Sequence, residues 1–271
     1  MKTMIEVASI QAESIIKARQ LAKVESLKAT SFPLTWIPDS VTHTDIVFKG
    51  YEQAFATSEA TGLQKMYYDH NKPFTKKVKY YNHFIPAQFV EKPKAYIIPQ
   101  GWGEVINILK LNEVICRPLT HDTTLTVEAY HIDDYKSLPR AYEKHHKNSN
   151  IKVSTAIKTL KFRKGDVMIY SDQPQVRYIV EMLEPTGDDS FFAWNFFDAI
   201  LQQKEGYSDY RWEDIAARVL KDNPDIKQKL DQKKAEDPKF ANSAAAQLDF
   251  IYKNSKYYEP AHLQYPVYRL R

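Results

Sequence analysis

Residues Gly165 to Leu201 read GDVMIYSDQPQVRYIVEMLEPTGDDSFFAWNFFDAIL, and they join the two halves of the chain. DVMIY (166–170) is a short apolar run, which predicts a strand. SDQP is a polar turn that stops it. From Val176 to Leu183 apolar residues mix with Arg177 and Glu181, which predicts a short helix ended by Pro185. Beyond it, Phe192, Phe196 and Ala199 fall at i, i+4 and i+7, the spacing of a helix face turned to a core. The stretch thus reads as a hinge between a β-rich half and a helical tail from about residue 190.

Strands dominate on the N-terminal side of this hinge. Thr44–Tyr51 and Lys76–Tyr81 alternate apolar and polar residues, whereas 61–73 is polar and irregular and 31–40, with two prolines, reads as an extended connector. Between Lys94 and Leu119 the order is a short apolar strand (95–98), a helix (101–112) and a strand (114–119), a small βαβ pattern. Thr123–Ile132 and Ile151–Phe162 are further strands, separated by a polar loop from Asp133 to Asn150. At the N-terminus, Thr3–Ser26 has helical spacing.

On the C-terminal side, Asp209, Asn223-Pro224, Asp237-Pro238 and Asn242 or Ser243 are helix-start signals. The tail YYEPAHLQYPVYRL reads as an extended segment lying against the body. These elements define an α+β (mixed α/β) class, with a central mixed sheet, a small βαβ unit and a C-terminal helical cluster. As domains they give a helix or linker over 1–30 and a mixed α/β domain over 31–271.

Composition narrows the chemistry. Apolar residues are 43% and charged residues 27% of 271, enough for a real core. Only 7 glycines are present, and neither G-x-G-x-x-G nor a P-loop occurs. The net charge of +4 is scattered, with no Lys/Arg block longer than two, which argues against a nucleic-acid partner. The single cysteine, Cys116, excludes an intrachain disulfide and any metal site built from several cysteines. No window is apolar enough to span a membrane. The first residues lack a continuous apolar core, so no signal peptide is read. That predicts a cytoplasmic protein if Met1 is the true start, and an exported one if the chain belongs to a longer secreted protein.

The search for a site yields no catalytic residue. Eight histidines are present, but none stands in H-x-x-E, H-E-x-x-H or H-x-x-x-H. The weak metal candidates are loop groups, His131 with Asp133 and Asp134, and Glu143 with His145 and His146. Ser171 stands at a strand end where a nucleophile could stand, without a G-x-S-x-G elbow. For a small ligand, Pro99 to Trp102, at the C-terminal end of the 95–98 strand, would face any cleft of an open α/β sheet, and Gln173 and Glu184 with Trp194 offer polar groups beside an aromatic floor. Core packing is the competing account of both tryptophans.

Several pieces carry a resemblance: AYIIPQGWGEVINILKLNEV, YEKHH, FRKGDVMIYSDQPQVRYIVEMLEP, DSFFAWNFFDAILQQKEGYSDY and YYEPAHLQYPVYRL. Together they resemble the C-terminal region of bacterial zinc carboxypeptidase-like proteins, from about Phe32 to the end. In such proteins the region follows the metallopeptidase domain, whose zinc is held by an H-x-x-E pair and a later His. That motif is absent, so no catalytic residue carries over. The resemblance implies a non-catalytic accessory domain that shapes or supports a peptide-binding cleft. Its partners would be an upstream or separately encoded peptidase domain and a peptide, and any zinc would belong to that peptidase domain. The alternatives are a free-standing peptide- or carbohydrate-binding module, or a hydrolase using the loop His/carboxylate groups.

Overall fold

The computed structural model describes residues 1–271. The chain divides into two units, Met1–Thr30 with Lys92–Arg271, and Ser31–Glu91. The class is α+β: the strands form one six-stranded sheet and two two-stranded ribbons, beside eight α-helices.

The first unit opens with two helices, α1 (Lys2–Ile10) and α2 (Ala12–Lys28), and neither contains a buried residue. The break in the single helix expected here falls at Gln11. The amide of Lys92 donates to the Thr30 carbonyl at 2.8 Å, and its ammonium to the Leu27 carbonyl at 2.7 Å. The chain therefore leaves and re-enters this unit at adjoining points.

Between those points lies the second unit, one long antiparallel arm. Its base pairs β1 (Ser31–Pro38) with β4 (Phe84–Glu91), and its outer part pairs β2 (Thr44–Thr57) with β3 (Gln64–Tyr80). The expected connector at 31–40 is thus largely strand, its prolines accommodated beside register shifts at Pro33/Thr35 and Thr35/Trp36. The expected irregular stretch at 61–73 is mostly β3. Cross-strand pairing there overrides its polar composition, because nearly every side chain of the arm's outer part is exposed and needs no apolar alternation. Its register slips between Tyr51 and Glu52, opposite His70–Lys72, and the His70 ring stacks on Tyr51 at 4.5 Å. At Gly50 a Cβ would meet the rings of Phe48 and Phe74 at 2.9 Å, so a larger residue there would displace one of them.

The first unit's sheet is assembled from β5 (Ala95–Ile98), β6 (Arg117–Pro118), β7 (Thr123–Ser137), β8 (Asn148–Phe162), β9 (Val167–Tyr170) and β10 (Gln264–Leu270), in the order β6-β9-β5-β10-β7-β8. Every neighbouring pair is antiparallel. The βαβ unit is present as β5, α3 (Gly103–Leu111) and β6, but its two parallel strands are separated by β9, which pairs with both. Strand β6 is shorter than the expected 114–119. The Val114 amide donates to Leu109 at the end of α3, and the Ile115 amide to the Gln173 side chain, so neither joins the ladder. The polar loop expected over 133–150 is narrower, because β7 runs on to Ser137 and β8 begins at Asn148.

The largest departure from the sequence reading is the tail. Residues 264–270 are not draped on the body; they are a central strand, between β5 and β7. Tyr265 and Val267 are buried there.

The stretch from Gly165 to Leu201 packs this sheet together. Gly165 has φ +97°, and a Cβ would strike the Gln100 side chain at 2.8 Å. The following Asp166 accepts from the amides of Gln100 (3.0 Å) and Arg163 (2.7 Å), fixing the turn into β9. Helix α4 (Val176–Leu183) buries Val176, Ile179, Val180 and Leu183, each worth about 1.5–3 kcal/mol of transfer free energy. The helix expected from Phe192 to Ala199 is not formed. The chain turns repeatedly instead, Asn195 adopts φ +68°, and the only helical piece is a single 3-10 turn at Asp198–Ile200. Phe191, Phe192 and Phe197 are still buried, whereas Ala199 is exposed. Of the spaced residues only Phe192 reaches the core, and the turns bury Phe191 and Phe197 beside it instead.

The helical cluster follows: α5 (Asp209–Asp222), α6 (Pro224–Glu236), α7 (Pro238–Ala241) and α8 (Ala244–Lys253). The starts of α6, α7 and α8 lie where the sequence signals placed them, whereas Asp209, expected as a cap, is the first residue of α5, with Ser208 as its N-cap. Asp237 accepts from the amides of Lys239 and Phe240, and Ser243 from Ala246. Trp212, Ala216, Leu230, Phe240 and Ile251 form its separate core.

Candidate functional site

Strand β5 ends at Ile98, and Pro99 turns the chain so that the Trp102 amide donates to the Pro99 carbonyl at 3.1 Å. Trp102 is then the N-cap of α3, and its indole meets the buried Phe197 ring edge-on at 4.9 Å. Trp102 also lines a cleft of about 420 Å³, together with Leu160, Ile200, Pro260, Pro266 and Tyr268. This wall is apolar. Its polar elements are on one side, where Lys158 donates to the Gln264 side-chain oxygen at 2.6 Å. Gln264 is fixed in turn by donating to the Tyr130 carbonyl at 2.7 Å. An apolar pocket with a few oriented polar groups is the usual form of a ligand site.

The other residues singled out from the sequence are not gathered at this cleft. Gln173 is buried and occupied on both ends: its oxygen accepts from the Ile115 amide at 2.7 Å and its nitrogen donates to the Tyr170 carbonyl at 2.7 Å. Glu184 is buried under the sheet. The phenols of Tyr96 and Tyr130 donate to it at 2.6 and 2.8 Å, and Arg269 Nε lies 3.2 Å away. Burial raises its pKa, with the Arg269 charge and the two phenol hydrogen bonds acting the other way. Arg269 also meets the buried Glu128 at 2.5 Å, and Arg271 pairs with the same carboxylate. Each charged member has opposite-charge or hydrogen-bonding partners within the fold, so the network is an internal tie.

Trp194 is half-buried on a different surface. Its indole nitrogen donates to Asp189 at 3.1 Å, and the Lys147 ammonium lies 4.8 Å from its ring centroid and 2.9 Å from the same carboxylate. The Lys147 hydrogen bond holds the Asp189 carboxyl below its usual range.

Nor do the loop histidines converge. His131 lies in β7 and meets Asp133 at 2.8 Å, and the Ser154 hydroxyl donates to that same carboxylate oxygen at 3.0 Å. Asp134 pairs with Lys152. Tyr142 to His145 form a tight two-residue hairpin, with Glu143 and Lys144 at φ +50° and +69° and reciprocal backbone bonds of 2.8 and 2.9 Å. His145 stacks on Phe196, and His146 bonds to the Leu138 carbonyl. No group of three His, Cys, Asp or Glu side chains is placed to hold a metal ion, so these residues do not fit the zinc that the resemblance associates with a peptidase. Ser171 is buried with its hydroxyl unpartnered, and no imidazole or carboxylate bonds to it. Cys116 is half-buried, and burial pushes its thiol up.

Of the cleft, the sequence singled out the turn from Pro99 to Trp102, both ends of which line it. Leu160, Pro266 and Tyr268 join it only because β10 enters the sheet beside β5 and β7. The proline-rich tail was the one signal for its far wall. No family model matches the chain, and neither a curated protein nor a solved structure is significantly similar to it.

Proposed function

We propose that this chain is a non-catalytic accessory domain that holds an extended apolar segment of peptide, and that its binding site is the Trp102 cleft. The observation that carries this reading is the cleft itself. The half-buried Trp102 lines it together with Pro260, Pro266, Leu160 and Tyr268, and one lysine–glutamine pair is the polar part of the wall. Apolar side chains of a peptide would lie against the indole and prolines, and the Lys158–Gln264 pair would meet its backbone carbonyls. The sequence resemblance to the C-terminal region of zinc carboxypeptidase-like proteins supports the same reading. In that setting the partner is a peptidase domain, encoded upstream or separately, and zinc chemistry belongs to it.

Panning a random dodecapeptide library on the purified chain tests this. The expected result is enrichment of peptides rich in aliphatic and aromatic residues, with capture lost in Trp102→Ala. Enrichment that Trp102→Ala retains in full would show that the cleft is not the site.

A further inference from the structure

The helical cluster carries a second cleft, of about 420 Å³, whose wall is unlike the first. Four aromatic side chains line it. The rings of Tyr207, Trp212 and Tyr252 pack mutually at 5.0–5.4 Å, and Tyr257 meets Trp212 at 5.5 Å. Trp212 and Tyr252 are buried and form the floor, while Tyr257 is 48% exposed and forms a wall, with the Lys256 ammonium over one side of its ring. The Trp212 indole nitrogen is already used, donating to the Leu248 carbonyl at 3.0 Å.

The rim decides what such a cleft would take. Two of its side chains, Glu205 and Arg211, have no ion-pair partner. The Arg211 guanidinium uses only Nε, donating to the Tyr210 hydroxyl at 2.9 Å, and its remaining N–H groups are open. Around them the charges balance. Asp209 and Asp249 act on Tyr207, Lys253 pairs with Asp249, and Lys256 lies 5.5 Å from the Tyr257 centroid. Glu205, Asp209 and Asp249 are thus matched by Arg211, Lys253 and Lys256. An anion would meet Glu205 and a cation would meet Arg211. An uncharged ligand meets neither repulsion, and one with a flat apolar face for the tyrosines and hydroxyls at its edge can serve both the acceptor and the donor.

We infer that this cleft binds a neutral pyranose sugar, stacked on Tyr257 over the Trp212–Tyr252 floor, with Glu205 accepting from and Arg211 donating to its hydroxyls. The inference stands on the helical cluster alone and does not rest on the Trp102 reading.

Isothermal titration of the whole chain with cellohexaose, xylohexaose, chitohexaose, maltohexaose and mannohexaose tests it. Saturable binding of at least one is expected, weakened about tenfold by Tyr257→Ala, as loss of one stacking contact requires, and weakened also by Arg211→Ala. Both side chains are exposed, so both variants should keep the wild-type circular dichroism. Binding of none of the sugars would overturn the inference. So would binding that both variants retain, or binding that is lost in Trp102→Ala but kept in Tyr257→Ala.

Discussion

Arg269 reaches Glu128 at 2.5 Å across 141 residues of sequence, and both side chains are almost wholly buried. The last strand of the chain is therefore tied by charge to the middle of the sheet. Replacing Arg269 with Met would leave Glu128 facing only Arg271, and Glu184 facing only phenols. Breaking a buried pair by removing one partner costs about 3–5 kcal/mol. Urea unfolding should show a loss of that order, and a loss under 1 kcal/mol would mean the network is solvated.

The same network gives stability a pH dependence of definite sign. Burial raises Glu184 above its ordinary value of 4.5. A carboxyl raised in the folded state contributes stability that is fully present below the unfolded pKa and is lost as pH rises through the folded one. Glu184→Gln cannot ionise, so relative to wild type it should gain stability on going from pH 4 to pH 8. Parallel stability–pH curves for the two proteins would contradict this.

The position of β10 makes the C-terminus indispensable. Ending the chain at Leu263 removes the strand between β5 and β7, with buried Tyr265 and its 2.8 Å hydrogen bond to the Leu183 carbonyl. The shortened chain should lose its near-ultraviolet circular dichroism and its cooperative thermal transition. A surface-draped tail would leave both intact.

The tail also shows where sequence reading stops. Helix starts were legible because Asp237 and Ser243 act on amides only two or three residues ahead. Strands β5 and β9 were legible because they are short, apolar and buried on both faces. The partnership of β10 with β5 and β7 spans the whole unit in sequence, and nothing local in QYPVYRL announces it. The Phe191–Phe197 cluster misled differently, since its spacing satisfied a helix while Asn195 turned the backbone away. The outer ribbon of β2 and β3 was half seen, because a strand pair exposed on both faces carries little periodicity. Trp102 was visible as one residue of the cleft, and its facing wall was not.

That ribbon should also be among the least protected ordered parts of the fold. Two-stranded ribbons without a covering layer are marginal in water, and almost every residue of β2 and β3 is exposed. In native-state hydrogen exchange, the amides of Thr44–Thr57 and Gln64–Tyr80 should exchange well before those of Ala95–Ile98, which are buried. Equal protection would imply that something covers the ribbon.

Trp102 is the aromatic residue against which a peptide in the cleft would lie. The chain has four tryptophans, so each indole N–H gives a resolvable signal that single substitution assigns. In a heteronuclear NMR titration with a peptide selected by panning, the Trp102 indole signal should shift saturably, at the same midpoint as the backbone amide of Tyr268. A peptide that binds while the Trp102 indole and the Tyr268 amide stay fixed would contradict the account.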